Sequence, residues 1–375
     1  MYNTSRRCRQ LILFICALPF CATAHVPTVA ERMQEAALEL LQSLDAAQRS
    51  VVQYAWDDAA RFRWSNLPAS MVAPDGIRMV DLDDTQRQAV FRLLAASLSS
   101  QGYAKVTGIV RSDDVLRETM SPQVVANPTT DDEKFLAFLV AGYFSGNYGV
   151  AIYGDPAGST WGWQIDGHHV GANFTVADGL VSFTPLFLGS NPMRLQSGPM
   201  AGWMPLPLEG RRGLDLLNSL DEEQRATAII SDEKPADILS GPGRQDSLSE
   251  YEGLKADRLS APQMRLLKQL VAEYALNGAT GDELIAVIEA ADWEELHFSW
   301  HGPTGRDDAF YYRVHGPRVL IEYSRLNPNH EHTILRDPRN DFGADWLGKH
   351  YSESHPPLDK VMEDFRERAG IRSDD

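Results

Sequence analysis

The stretch Trp161-Gly-Trp-Gln-Ile-Asp-Gly167 recurs later in the chain as Phe310-Tyr-Tyr-Arg-Val-His-Gly316. Each copy has the alternating pattern of a β-strand, and each ends in a dipeptide, Asp-Gly or His-Gly, that favours a tight hairpin turn. Two copies of one strand-and-turn unit in a single chain predict an internal duplication.

The segments on both sides of this stretch repeat as well. The matching pairs are Tyr148–Gly154 with Leu296–Gly302, His168–Val176 with Pro317–Ser324, and Val181–Leu186 with His330–Leu335. Each copy is therefore predicted to contain helices followed by a four-stranded antiparallel meander. A single meander exposes a hydrophobic face and open edges, so we expect the copies to pack with pseudo-twofold symmetry into one α+β fold.

Helix starts repeat at equivalent places. An N-cap residue is followed by Gln three positions later, a pairing that satisfies free backbone N–H groups of the first helical turn. The pairs are Asp45 with Gln48, Asp83 with Gln86, Asp221 with Gln224, and Ser260 with Gln263. These boxes predict helices in both copies ahead of the strands.

The N-terminus has the composition of a secretory signal peptide. Three arginines, Arg6, Arg7 and Arg9, precede the apolar run Leu11–Phe20, which ends in Ala22-Thr-Ala24. This pattern predicts export, through the Sec or the twin-arginine route, to the periplasm or the exterior. The run is too short for a mature membrane span, and no later stretch is long and apolar enough to be one.

The predicted boundaries follow from the signal and the repeat. They are a signal peptide at 1–24, a first helical and β copy at 25–210, a second copy at 211–351, and a tail helix at 352–375. Two irregular stretches interrupt the copies. Residues 185–207, rich in Gly, Pro and Met, are predicted to link them, and the polar stretch 232–257 is predicted to be mobile.

Charge and cysteine content limit the classes of partner and of metal site. The formal net charge is −17 and becomes −20 without the signal arginines, which disfavours nucleic acid and anionic membranes as partners. All three cysteines, Cys8, Cys16 and Cys21, precede the predicted cleavage site. The mature protein is thus expected to lack disulfides, and any metal must bind nitrogen and oxygen donors.

The richest concentration of ionisable residues is Asn329–Tyr351. On a strand, His330 and His332 share one face and Glu331 takes the other. Two imidazoles with a nearby carboxylate match the ligand set of a divalent metal such as Zn, Fe, Mn or Cu. Further candidate ligands are His350, Asp337 and His169, the last because only one residue of the adjacent pair His168-His169 can face the cluster.

The interpretation favoured by this cluster is a metal-dependent enzyme, in particular a hydrolase. The candidate catalytic residues are Glu322 as general base, Arg336 as the residue that orients an anionic substrate group, and Asp341. A structural ion pair of Arg336 with Asp337 is an equally good interpretation.

Two further classes remain open on the sequence. One is a non-catalytic exported binding module in which the same residues line a pocket for a small molecule, a peptide or a glycan. The other is a purely structural envelope protein. The distance between the histidine side chains discriminates among them, because ligands of one ion must converge.

The chain resembles a bacterial family catalogued as a domain of unknown function, number 3500. The resemblance rests on specific motifs that cover nearly all of the mature chain, namely Trp161–His169, Thr184–Pro192, Asn329-His-x-His332, Arg336-Asp337, Asp341-Phe-Gly343 and His350-Tyr351. It implies an exported protein, with no established activity.

Overall fold

A computed structural model describes residues 26–196, 200–244 and 247–354 of the chain. The predicted signal peptide, the three cysteines and residues 355–375 of the predicted tail lie outside these ranges. Within the ranges, none of the helices combines the length and the apolar character that crossing a lipid bilayer requires.

The fold is a mixed α+β structure, as predicted. The described residues contain ten α-helices, which are α1 Val29–Ser43, α2 Ala46–Val52, α3 Asp84–Ser97, α4 Ser100–Met120, α5 Asp131–Gly142, α6 Glu209–Ser219, α7 Glu222–Ala228, α8 Ala261–Ala275, α9 Gly281–Ala290 and α10 Ala344–Ser354. They also contain thirteen strands, which are β1 Gln53–Tyr54, β2 Ile77–Arg78, β3 Gly149–Gly154, β4 Thr160–Gly167, β5 Val170–Ala177, β6 Leu180–Ser182, β7 Leu186–Ser190, β8 Ile229–Ser231, β9 Leu254–Lys255, β10 His297–His301, β11 Tyr311–Gly316, β12 Val319–Asn327 and β13 His330–Arg336.

All of these strands belong to one large mixed sheet. Its main path runs β1-β3-β4-β5-β7-β13-β12-β11-β10-β8, with β2, β6 and β9 pairing beside it. At the middle, β7 and β13 pair in antiparallel fashion, with Leu186 opposite Leu335 and Gly189 opposite His332. The sheet is therefore continuous between the two parts of the chain that the repeat defines.

One predicted strand is divided in two. The stretch Val181–Leu186 forms the end of β6 and the first residue of β7, and both strands pair with β5. Pro185 lies between them and has no backbone N–H for a ladder hydrogen bond, which explains the break.

The helix starts agree with the predicted capping boxes. Asp45 and Gln48, Asp83 and Gln86, and Asp221 and Gln224 exchange hydrogen bonds at the starts of α2, α3 and α7. At the start of α8, the Ser260 backbone N–H donates to Gln263 Oε1 at 2.8 Å. The glutamines also pair between helices, Gln48 with Gln86 and Gln224 with Gln263, each at 3.1 Å. The boxes thus fix helix positions as well as helix ends.

Both faces of the central strands are covered. The helices bury one face, where Trp163 of β4 donates from its indole N–H to Ser97 Oγ at 3.1 Å. Irregular segments cover the other face, where Trp64 and Ile238 pack with Phe187 and Ile334. Within the stretch 232–257, predicted to be polar and mobile, Ile238 packs on the sheet and is 2% exposed.

Candidate metal centre

Three histidines converge where β7 and β13 meet the turn between β4 and β5. His330 and His332 lie on one face of β13, and His169 occupies the turn with a positive φ of 70°. The Nε2 atom of His330 lies 2.9 Å from Nε2 of His169 and 3.0 Å from Nε2 of His332. Of the adjacent pair His168-His169, the structure places His169 beside these two histidines.

Full hydrogen bonds cannot form at both contacts of His330 Nε2. The single ring nitrogen Nε2 of a neutral imidazole either donates one proton or accepts one with its lone pair. His330 Nε2 has two imidazole neighbours, so at most one of its two contacts is a full hydrogen bond, and the other is at best the weaker arm of a shared one. A cation removes the conflict, because nitrogens that bind one tetrahedral Zn²⁺ at about 2.0–2.1 Å lie about 3.3–3.4 Å apart, which small movements of the rings would reach.

Asp237 orients one of the three rings. Its carboxylate oxygens lie 2.8 and 3.0 Å from Nδ1 of His332. This contact places the His332 proton on Nδ1 and leaves the Nε2 lone pair directed at the other two histidines. A carboxylate behind a histidine is the usual arrangement around protein-bound metals, where it fixes the tautomer and raises the basicity of the ligand.

Gly189 provides the space in which the rings meet. It lies opposite His332 in the sheet, and its backbone N–H donates to the His169 carbonyl at 2.8 Å. A Cβ at this position would approach Cδ2 of His332 to 2.8 Å and Cδ2 of His169 to 2.9 Å. Only glycine leaves both rings in place here.

The environment keeps two of the rings neutral. Burial lowers the pKa of His169 well below its ordinary value, and the charges of His168, His332 and His330 lower it further. Burial, with the nearby His332, lowers the pKa of His330 to about 3. Neutral imidazoles are the form that binds metal. Burial raises the pKa of Asp237, but the hydrogen bond and charge of His332 outweigh it and leave that pKa below its usual value.

His168 belongs to a second buried cluster next to the first. Its Nδ1 lies 2.7 Å from Oδ1 of Asp113, whose other oxygen accepts from Tyr148 OH at 3.0 Å. The His168 ring stacks on Tyr143 at 4.8 Å and lies 3.7 Å from the His169 ring. Asp113, His168 and His169 form the second group whose ligand atoms are close enough to hold an ion.

Two predicted ligands do not reach the three histidines. His350 Nδ1 lies 2.6 Å from Oδ2 of Asp178. Asp337 accepts two bonds from Arg318, at 3.0 and 2.7 Å, rather than pairing with Arg336. Both residues are close to His332 in sequence, but the strand carries the chain away from the histidines before it reaches them.

The three predicted catalytic residues also have other partners. Arg336 pairs with Asp341 at 2.6 Å, and burial raises the pKa of Asp341 to about 6. Glu322 is fully buried and accepts hydrogen bonds from Leu239 N–H, Ser240 N–H and Tyr311 OH. The structure therefore offers neither a free base at 322 nor an unpaired guanidinium at 336.

The match to a family model covers most of the chain. Residues 27–344 match the model described as protein of unknown function (DUF3500). The chain belongs to this family. No curated protein and no solved structure matches the chain. The resemblance seen in the sequence is thereby confirmed for this DUF3500 chain.

Sequence reasoning missed Asp237, Gly189 and Asp113. Asp237 lies in an irregular polar stretch, and Asp113 lies on α4, far from any histidine in sequence. Neither has a spacing that points to the site. Gly189 has a local signal, because it follows a strand-like run in the motif Thr184–Pro192 and is the residue that leaves space for another group.

The arrangement could hold a cation with three nitrogen donors. His169 and His332 are buried, whereas His330 is only partly buried, so the cluster borders solvent on the His330 side. Three-histidine sites with an open fourth position are typical of catalytic metal ions, whereas structural sites are closed by four protein ligands.

Proposed function

We propose that this chain is an exported metal-dependent enzyme, a hydrolase, with His169, His330 and His332 as the metal ligands. The observation that carries the proposal is the convergence of three Nε2 atoms, among which His330 Nε2 can make at most one full hydrogen bond to its two neighbours. The signal-like N-terminus supports a periplasmic or secreted location.

The donor set narrows the choice of ion. Imidazole nitrogens suit Zn, Cu and Fe, whereas Mn prefers oxygen donors. Asp237 behind His332 would stabilise the bound ion from outside the ligand set. An ion with an open position lowers the pKa of a bound water toward neutrality and so provides a nucleophile for hydrolysis.

We also propose that the two parts of the chain are duplicated copies related by a pseudo-twofold axis. The strand order is supporting evidence, because β3-β4-β5-β7 on one side of the centre faces β10-β11-β12-β13 on the other. Leu186 and Leu335 hold equivalent places in the repeat and pair with each other at the centre. A superposition in which β3–β5 fail to overlie β10–β12 would contradict this. On this proposal, the site takes His169 from one copy and His330 and His332 from the other.

The test of the metal proposal is the metal content of the mature protein, purified without chelators or affinity histidines. We expect close to one ion per chain, and we expect its loss in His330→Ala with retention of the fold by circular dichroism. His350→Ala is the matched control. The His350 side chain contacts Asp178 rather than the three histidines, so this variant should still bind the ion.

Metal-free protein that stays empty after incubation with Zn, Cu and Fe salts would overturn the proposal. A non-catalytic binding module for a small molecule, peptide or glycan would then be the better interpretation. Loss of the ion in His350→Ala together with its retention in His330→Ala would place the site elsewhere in the chain.

A further inference from the structure

Asp237, which orients His332, belongs to a segment without helix or strand. The segment follows β8 and contains residues 232–241, and Asp237 itself is only partly buried. A carboxylate in such a segment keeps a fixed distance to a ring only if other groups hold the backbone beside it. Those groups lie immediately after Asp237, at Leu239 and Ser240.

Glu322 of β12 binds the backbone of these two residues. Its carboxylate accepts the Leu239 N–H at 2.6 Å and the Ser240 N–H at 2.9 Å, and it also accepts from the Ser240 hydroxyl and from Tyr311 OH at 2.7 Å. Four donors therefore converge on a carboxylate that is fully buried. Backbone N–H groups bound to a carboxylate make strong, charge-assisted hydrogen bonds.

Arg336 of β13 binds the backbone of the turn at 238–240 as well, through the carbonyl of Ser240. Its Nε and one terminal nitrogen donate to the Ser240 carbonyl at 3.0 and 2.7 Å, and its second terminal nitrogen pairs with Asp341. Ser240 itself is fully buried. The N–H groups of the turn thus meet a buried anion, and its carbonyl meets a buried cation.

We propose that Glu322 and Arg336 are positioning residues that fix the turn at 238–240 on the sheet so that Asp237 orients His332. This inference rests on the proposed metal site and deepens it. It also gives a role to two residues that the sequence places near the cluster and the structure separates from the histidines. Neither touches the ion; both act through Asp237.

The first test is the affinity for Zn²⁺, measured by competition with a chromophoric chelator in the wild type, Asp237→Asn, Glu322→Gln and the double variant. We expect Asp237→Asn to weaken binding by about 10- to 100-fold, the range for residues that support a ligand. Glu322→Gln should weaken Zn²⁺ binding within the same range. The amide NH₂ of Gln cannot accept the hydrogen bonds that one carboxylate oxygen accepts now. The double variant should be no weaker than Asp237→Asn. If the fold-losses in Zn²⁺ affinity of the two single variants instead multiply in the double variant, Glu322 does not act through Asp237 and the inference is overturned.

The second test is amide hydrogen exchange in metal-free protein. We expect faster exchange at Leu239 and Ser240 in Glu322→Gln, and no change there in Asp237→Asn, because the turn holds Asp237 rather than the reverse. Unchanged exchange in Glu322→Gln would overturn the positioning role. Failure of the wild type to bind Zn²⁺ would instead overturn the proposed function, so the two failures are distinguishable.

Matched variants separate this role from general destabilisation. Glu273→Gln makes the same carboxylate-to-amide change at another buried position, where the partner is Lys105, and should leave Zn²⁺ affinity unchanged. If Glu322→Gln fails to fold, Ser240→Ala removes one of the four donors with a smaller perturbation. Exchange at Leu239 should then rise and Zn²⁺ affinity fall, and no change in either would contradict the inference.

Discussion

At the scale of single residues, strand alternation separates polar groups with different tasks. Glu331 lies between His330 and His332 but points to the helical side, where Tyr323 OH donates to it at 2.7 Å. Burial raises the pKa of Glu331 to about 8. β13 therefore carries two of the candidate metal ligands, His330 and His332, on one face and a carboxyl with a raised pKa on the other.

Gly189 gives a prediction about the space between the rings. Gly189→Ala should weaken metal affinity by about tenfold or more, because the new Cβ displaces the rings of His332 and His169. Isothermal titration of the metal-free protein with Zn²⁺ measures this. Gly348→Ala is the control. A Cβ added at position 348 meets nothing within 4 Å. The position lies in α10, where alanine has a higher helix propensity than glycine. Equal affinities for the two variants would contradict the crowding argument.

Asp166 gives a prediction about pH. It is buried, it accepts the Ser65 N–H at 3.0 Å, its other oxygen has no hydrogen-bond partner among the described residues, and burial raises its pKa from 3.8 to about 7. The folded state therefore holds this proton up to a higher pH than the unfolded state does. As the pH rises from about 4 to 7, the free energy of unfolding should fall by about 3 kcal/mol on account of Asp166.

Asp166→Asn removes this dependence. Urea unfolding at pH 4.5 and at pH 8 gives the free energy of unfolding of the variant minus that of the wild type. This difference should be larger in favour of the variant at pH 8. The comparison at each pH cancels contributions from other acids. A stability difference that is the same at both pH values would contradict the assignment to Asp166.

At the scale of elements, a buried ion cluster joins three helices. Lys105 of α4 lies 2.7 Å from Glu209 at the start of α6 and 2.7 Å from Glu273 of α8. All three side chains are at most 7% exposed. Such a cluster fixes how the helices pack, because any other packing leaves a buried charge without a partner.

Removal of the lysine should be strongly destabilising. Lys105→Met removes the cation beside buried Glu209, leaves buried Glu273 only the longer contact to Arg212 at 3.9 Å, and should lower the free energy of unfolding by about 3–5 kcal/mol at neutral pH. Chemical denaturation measures the change. Lys134→Met is the surface control, because its pair with Asp131 is exposed and contributes at most about 1 kcal/mol. Similar losses for both variants would contradict the role of the buried cluster.

At the scale of the whole molecule, the candidate metal centre joins distant parts of the chain. His169 precedes β5, whereas His330 and His332 belong to β13, and β7 lies between β5 and β13 in the sheet. A ligand that binds only the folded arrangement stabilises everything that must fold to form it. An ion bound at this position would therefore stabilise the continuous sheet as one unit.

The resulting prediction concerns unfolding with and without metal. Free Zn²⁺ at 1,000 times its dissociation constant should raise the free energy of unfolding by about 4 kcal/mol. The transition should remain single and should shift as a whole, by both fluorescence and circular dichroism. His332→Ala should show no shift. Two transitions of which only one responds to Zn²⁺ would contradict the idea that the ion stabilises the whole sheet.

The sequence by itself determined the local features of this protein. Features that depend only on the spacing of residues along the chain can be predicted from the sequence. They are the α+β class, the capping boxes at Asp45, Asp83 and Asp221, and the shared face of His330 and His332. Family membership was also readable, because its motifs are continuous stretches of chain.

Only the tertiary structure decided which ionisable groups meet. The position of His169 beside His330, of Asp237 behind His332, and of Glu322 under Ser240 depends on strand order and on an irregular segment that crosses the sheet. The sequence places Asp337 and His350 close to the histidines, yet the direction of β13 and the turn after it take both away. Contacts between distant residues follow from packing in three dimensions, and no local spacing encodes them.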